Sequence, residues 1–169
     1  MIWYVLLVGA VGLERLAELV VARRNLAWSR ERGGVEFGSG HYPAMVVLHT
    51  GLLVGCLIEV FALHRPFIPM LGWPMLAVVV LAQLLRWWCI RTLGRQWNTR
   101  VVVIPEAERV SGGPYRLMPH PNYVAVVAEG IALPLVHTAW ITALTFTVLN
   151  AVLLNRRIGV ENSALARLS

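Results

Sequence analysis

The sequence predicts an all-α integral membrane fold of about five transmembrane helices, with a cytoplasmic loop and a C-terminal segment closing a site. Three observations predict it. Of 169 residues, 57% are hydrophobic and 14% charged, with a mean hydropathy of +0.64, whereas a soluble domain is nearer half apolar and about a quarter charged. Five apolar segments succeed one another, at about 2–22, 42–63, 67–90, 121–137 and 138–154. The arginines, finally, gather in alternate connections. The length allows one domain, so residues 1–169 read as a single membrane-embedded unit.

Segment one lacks a positively charged start, and Glu14, Arg15 and Glu18 interrupt it, so it reads as a retained helix and not a signal peptide. Glu14 and Glu18 share a helix face with Arg15. Ionisable groups within spans are costly and turn inward; an internal salt-bridge cluster with Arg86 is expected, a share in a binding site being the alternative. His41 and His49 lie on one stripe of HYPAMVVLH. A haem or metal pair is conceivable there, but no Cys, Asp or third His accompanies it, and no metal site is expected. Glu59, His64 and Arg65 fall near the outer surface and read as interfacial. Trp3, Tyr4, Trp73, Trp87 and Trp88 fall near segment ends, where aromatic belts belong. Segments four and five are about 17 residues each, the lower limit for a span. HTA (137–139) separates them, so they form a tight helical hairpin or a shallow re-entrant pair, with His137 exposed in its turn. Cys56 and Cys89, each in an apolar run, read as small buried residues.

All 15 basic residues are Arg and all nine acidic ones Glu. That excludes Lys Schiff bases, Asp nucleophiles and Asp-based magnesium sites. A pI near 10.3 points at first to nucleic acid, but the arginines lie at 23, 24, 30 and 32, at 91, 95, 100, 109 and 116, and at 156, 157 and 167; the other two connections hold Arg65 alone. Five spans with the N-terminus outside put the three rich groups in the cytoplasm, as the positive-inside rule requires. The basic pI is thus a topology signal, and no nucleic-acid partner is expected. The long loop, 91–120, contains VVVI (101–104) and RVSGGPYR; a small strand or hairpin over the membrane face is expected, and loops of this length are usually functional or disordered.

Residues 112–130, GGPYRLMPHPNYVAVVAEG, place a polar, turn-prone stretch against an apolar helix. Pro121 fits the first helical position, where its missing N–H costs nothing. The unpaired N–H groups of that helix start make an anion site, helped by Arg116. Asn122 and Glu129 are seven apart and line one stripe, with His120 at the mouth and Tyr123 on an adjacent stripe. The pattern describes a pocket with a polar mouth and a lipid-facing throat, suited to an enzyme joining a water-soluble cofactor to a lipophilic substrate. The plainer alternative is a proline-led helix start with a satisfied histidine.

GPYR…HPNY, a hairpin and then RRIGVENSAL resemble the isoprenylcysteine carboxyl methyltransferase family of integral-membrane methyltransferases. ERLAELVVARRN, GGVEFGSGHYPAMVVLH and HPNYVAVVAE are similar to its bacterial branch that O-methylates alkylresorcinols and alkylpyrones. The resemblance covers nearly the whole chain. It implies S-adenosylmethionine as methyl donor under the 91–120 loop, framed by Tyr115, Arg116, His120, Pro121, Asn122 and Tyr123, with Arg157, Glu161 and Asn162 from the last helix closing the site. Two positions depart from the family's pattern: Pro119 stands where Arg usually precedes His-Pro, and Asn162 where a second glutamate is usual. The implied acceptor is an alkylresorcinol or alkylpyrone hydroxyl, with an isoprenylcysteine carboxyl second. Methyl transfer from a sulfonium is an in-line displacement served by alignment and a dry site. A carboxylate needs no base, whereas a phenol needs one or a cation; Glu129 is the expected base and Arg157 the expected holder of the acceptor oxygen. Two other readings stand beside the enzyme: a small transporter or channel subunit using Glu14, Glu18, Glu59 and Arg86, and a non-catalytic membrane assembly factor. Transport sites tend to sit near the midplane, whereas the intramembrane charges here gather toward one face.

Overall fold

The computed structural model describes residues 1–168 except 106 and 109, and all of their side chains except those of 41 and 165–168. His41 as a partner for His49, and Arg109, therefore lie outside the described residues. Five helices carry most of the chain: α1 Ile2–Arg30, α2 Tyr42–Ala62, α3 Pro69–Leu93, α4 Pro121–Leu135 and α5 Trp140–Leu168. Two short strands, β1 Val35–Phe37 and β2 Val101–Val103, pair antiparallel with Glu36 opposite Val102. The strand expected at 101–104 is thus real, and its partner comes from the connection after α1. The sheet lies at the bundle end that also holds the C-termini of α1 and α3 and the start of α4.

Two helical stretches, Tyr42–Ala62 and Pro69–Gln96, are long and apolar enough to cross a membrane. Only 22% and 28% of their apolar windows are buried, so they are not the wrapped core helices of a soluble protein. Large apolar side chains such as Leu6, Leu16, Val47, Ile58, Leu84 and Leu144 are exposed on α1, α2, α3 and α5, as side chains facing lipid are. The other three expected spans do not pass on length and composition. Charges at 14, 15 and 18 break α1, α4 has 15 residues, and Asn155, Arg156 and Arg157 cut the apolar run of α5. Both flanking helices outrun their apolar segments: α1 continues past residue 22 to Arg30, and α5 past 154 to Leu168. The extension of α5 makes Arg157 and Glu161 helical neighbours one turn apart.

The apolar core joins Tyr4, Val8 and Val11 of α1 to Leu52, Cys56 and Val60 of α2, Val79 of α3, Leu133 of α4 and Phe146 of α5. Both cysteines are free and buried. The Tyr4 hydroxyl donates to the Leu133 carbonyl at 3.0 Å. α4 packs along α3 and α5, and a Cβ on Gly130 would fall 2.1 Å from the Phe146 ring, so glycine permits the close approach of α4 and α5.

Two sequence expectations are corrected at the other end of the bundle. Glu59 is 6% exposed and not interfacial: its carboxylate accepts from the Ile141 and Thr142 N–H groups at 3.2 and 2.7 Å, from the Thr142 hydroxyl at 2.8 Å and from Arg65 Nε at 3.0 Å. It satisfies the otherwise unpaired amides of the α5 start. His137 is buried and not exposed. Its Nδ1 donates to the Arg65 carbonyl at 2.9 Å, and its ring sits among Trp3, Tyr4 and Phe67. The α4–α5 turn is folded inward against α1 and the α2–α3 connection.

Candidate active site

The 3-10 turn Gly113–Arg116 leads into the site. Gly113 has φ +54, and a Cβ there would lie 2.5 Å from Thr92 Oγ1; glycine is required twice over, by its left-handed backbone and by the close approach to α3. The turn sets Tyr115 against Cys89, and burial pushes its phenol well above the usual range, so it stays a neutral hydroxyl. Pro121 is the buried first residue of α4. His120, just before it, stacks on Tyr123 with ring centroids 5.3 Å apart and planes at 24°.

A chain of polar contacts then crosses from α4 to α5. His120 Nδ1 lies 3.6 Å from Glu161 Oε1. The Tyr123 hydroxyl donates to the Glu161 carboxylate and accepts from Arg157 Nε at 2.8 Å. Arg157 Nη1 reaches Met45 Sδ of α2 at 3.1 Å. Arg157 and Glu161, at i and i+4, share one helix face, which is why one tyrosine can touch both.

Two hollows meet at this chain. The first, about 140 Å3, lies at the sheet end and is lined by Gln96, Asn98, Arg100, Tyr115, His120 and Glu161, with Val101–Val103 of β2 alongside. The second, about 150 Å3, runs inward among α1, α2, α4 and α5, with Arg86 of α3 reaching it, and is lined by Arg15, Glu18, Met45, His49, Arg86 and Val126 among others. Trp97, Asn122, Tyr123 and Arg157 line both. Trp97 Nε1 and Asn122 Oδ1 are buried with no hydrogen-bond partner among the described residues. Buried polar atoms are nearly always paired; a donor and an acceptor left open in one wall are what a ligand would satisfy.

Beneath the second hollow lies the expected ion cluster. Arg15 Nη1 contacts Glu18 Oε2 at 2.7 Å, and Arg86 Nε lies 3.4 Å from Glu18 Oε1. Glu129 Oε2 accepts from Arg15 and, at 3.2 Å, from Arg86 Nη2. Glu14 accepts from Trp87 Nε1 at 2.5 Å. The cluster fastens α1 to α3 and α4, as the salt-bridge reading of the α1 charges expects, and Arg15, Glu18 and Arg86 also line the second hollow.

Of the residues expected in the site, Tyr115, His120, Asn122, Tyr123, Arg157 and Glu161 line the first hollow. Pro121 backs it without lining it. Arg116 and Asn162 are exposed and line neither hollow; the cation facing the first hollow from the loop is Arg100, held by Glu36 of β1 at 2.7 Å and lying 4.3 Å from the Tyr42 ring centroid. Glu129 is 2% exposed and lines neither hollow. Trp97, Asn98 and Arg100 were missed, since the loop before the motif carries no spacing that marks them. Arg15, Glu18 and His49 carried a signal, as polar groups within spans, but nothing local aimed them at one cavity.

The class these features define is a helical bundle with two apolar, lipid-facing spans and two adjoining hollows that share the wall Trp97, Asn122, Tyr123 and Arg157. Residues 75–167 match the isoprenylcysteine carboxyl methyltransferase (ICMT) family, and the chain belongs to that family of S-adenosylmethionine-dependent membrane methyltransferases. Among similar proteins, Uncharacterized protein YpbQ of Bacillus subtilis (strain 168) is 38% identical over 170 residues, covering 100% of this chain and 99% of its own length. An uncharacterized protein of Haemophilus influenzae is 24% identical over 140 residues, covering 81% of this chain and 80% of its own. No solved structure matches the chain. The family match takes in the chain from His120 to Glu161 but not α1, α2 or the first turn of α3.

Proposed function

We propose that the protein is an S-adenosylmethionine-dependent O-methyltransferase of a lipophilic acceptor, with a long-chain alkylresorcinol or alkylpyrone hydroxyl favoured and an isoprenylcysteine carboxyl second. The observation that carries the reading is the wall formed by Trp97, Asn122, Tyr123 and Arg157, which faces a polar hollow on one side and a largely apolar one on the other. A methyl group need cross only that wall.

The polar hollow fits the cofactor's donor and acceptor set. Glu161 suits an ammonium and Arg100 a carboxylate, while the unpaired Trp97 Nε1 and Asn122 Oδ1 suit hydroxyls or a base edge. When bound, S-adenosylmethionine supplies an activated methyl group on a sulfonium. The protein's own residues align and dehydrate. Tyr123 ties Glu161 to Arg157, so that the two flanks of the wall hold one geometry, and Trp97, 2% exposed, shuts out water. Arg157 lines both hollows and holds the acceptor oxygen. Glu129 enters as the anchor of Arg15 and Arg86 and not as a base: protonating it would leave two buried guanidiniums short of a counter-charge, which is costly.

In this reading all five helices sit in the bilayer, the N-terminus faces outward and the sheet end faces the cytoplasm, because Arg23, Arg24, Arg91, Arg95 and Arg156 lie toward that end. The acceptor arrives from the lipid phase. Purified protein in detergent, offered labelled cofactor with an alkylresorcinol or a prenylcysteine, tests the proposal. Labelled alkylresorcinol is expected, together with cofactor-dependent thermal stabilisation, since a ligand that binds only the folded state raises stability. No stabilisation and no labelled lipid would return the chain to the transporter or assembly-factor readings.

A further inference from the structure

His49 of α2 lines the apolar hollow yet takes no part in the chain of contacts from His120 to Met45. Its Nδ1 lies 2.8 Å from the Met45 carbonyl oxygen, one turn back on the same helix. A carbonyl only accepts, so Nδ1 carries the hydrogen and Nε2 keeps its lone pair in the neutral ring. Phe146 holds the ring edge-on at a centroid distance of 5.4 Å and 87°, and Nε2 has no hydrogen-bond partner among the described residues. The ring is thus fixed at two points, with its basic nitrogen unused beside a cavity.

We infer that His49 is the base that takes the acceptor's proton, so that the acceptor is a hydroxyl-bearing lipid and not a carboxylate. The inference rests on the methyltransferase reading above. Its physical basis is the contrast with the other candidates bordering or underlying the hollow. Glu129 already accepts from Arg15 and Arg86, and Glu18 is held by Arg15 at 2.7 Å and lies 3.4 Å from Arg86. Either would take a proton only by leaving those guanidiniums underbalanced, whereas a neutral imidazole gives up no ion pair and has a free lone pair on Nε2 to receive it. Arg15 and Arg86, which line the same hollow, are placed to stabilise charge developing on the acceptor oxygen. The groups around His49 are then Arg15 and Glu18 of α1, Tyr42 of α2, Arg86 of α3, Arg157 of α5, and Glu129 of α4 behind the arginines.

The balance of the step is simple. The acceptor O–H bond breaks and its proton goes to His49 Nε2, giving imidazolium. The oxygen's electron pair forms the new O–CH3 bond. The S–CH3 bond breaks with its pair staying on sulfur, which passes from sulfonium to thioether. One positive charge disappears at sulfur and one appears on the ring, so the site's net charge is unchanged, and the imidazolium afterwards returns its proton to water.

Two measurements test it. The first uses the protein without cofactor and a long-chain 4-nitrophenol, which is coloured only when ionised. Bound to the wild-type chain, the probe is expected to show its ionised band at a pH where it is colourless in detergent alone. In His49→Gln it is expected to bind, as read by quenching of tryptophan fluorescence, without that band. A band that persists in His49→Gln but vanishes in Glu18→Gln overturns the proposal in favour of Glu18. The second uses acceptors of graded acidity. His49→Gln is expected to lower kcat by about 10²–10⁴-fold for an alkylresorcinol while largely sparing the acidic nitrophenol; equal loss for both marks a structural role and overturns it. Should His49→Gln not fold, the wild-type chain decides: an alkylphenol is expected to raise Tm more than its methyl ether, and equal effects overturn the proposal. Cofactor-dependent methylation that survives intact in a folded His49→Gln removes His49 alone. Ionisation of the bound probe with no methylation of any lipid removes the methyltransferase reading alone.

Discussion

Tyr123 shows how much one hydroxyl organises. It is bonded at once to Glu161 and Arg157, and its ring stacks on His120. Tyr123→Phe keeps the stacking and removes both bonds. A net hydrogen bond to a charged group is worth roughly 1.5–3 kcal/mol, so cofactor affinity is expected to fall on the order of tenfold or more, read by titration calorimetry, with little change in secondary structure. Glu129 behaves differently. Glu129→Gln breaks a buried pairing with two arginines, and removing one partner of such a pair costs about 3–5 kcal/mol. A fall in Tm in detergent, affecting every acceptor alike, is the expected outcome; intact stability with selective loss of phenol methylation would restore Glu129 as the base. The stripe argument that joined Asn122 to Glu129 was right about the helix face, but a helical wheel carries no information about which side chains arrive from other helices.

At the scale of elements, the two-stranded sheet carries a consequence for binding. Glu36 of β1 holds Arg100, which follows Asn98 into the first hollow beside β2. Glu36→Ala is expected to raise the cofactor KM several-fold and leave the acceptor KM unchanged, measured by steady-state kinetics with each substrate varied. The start of α5 makes a stability prediction. Its first amides are satisfied by Glu59 from α2, and loss of a helix cap costs about 0.5–2 kcal/mol; Glu59→Ala also leaves Arg65 without its carboxylate and is expected to lower Tm. That cap was illegible in the sequence, because Glu59 lies 82 residues before Ile141. The apolar α2 and α3, by contrast, were plain from hydropathy, and Pro121 marked the α4 start correctly, because both signals are local.

For the whole molecule, the arginine distribution and the extended α1 and α5 make one topological prediction. A fluorescent protein fused after Ser169 is expected to glow and an alkaline phosphatase fused there to stay inactive, placing the sheet end in the cytoplasm; the reverse pair of results would turn the molecule over and put the polar hollow outside. By itself the sequence determined the existence and order of the five helices, the sign and clustering of the charges within their apolar runs, and the HPNY and Arg–Glu segments that form the α4–α5 half of the candidate site, because hydropathy, periodicity and motif spacing act over a few turns of chain. Only the tertiary structure decided which groups those segments meet. Arg15 reaches Glu129 across 114 residues and Arg86 reaches it across 43, Trp97 and His49 come to one hollow, and His137 turns inward. Such pairings depend on how helices pack side by side, and no stretch of sequence short enough to read locally contains both partners.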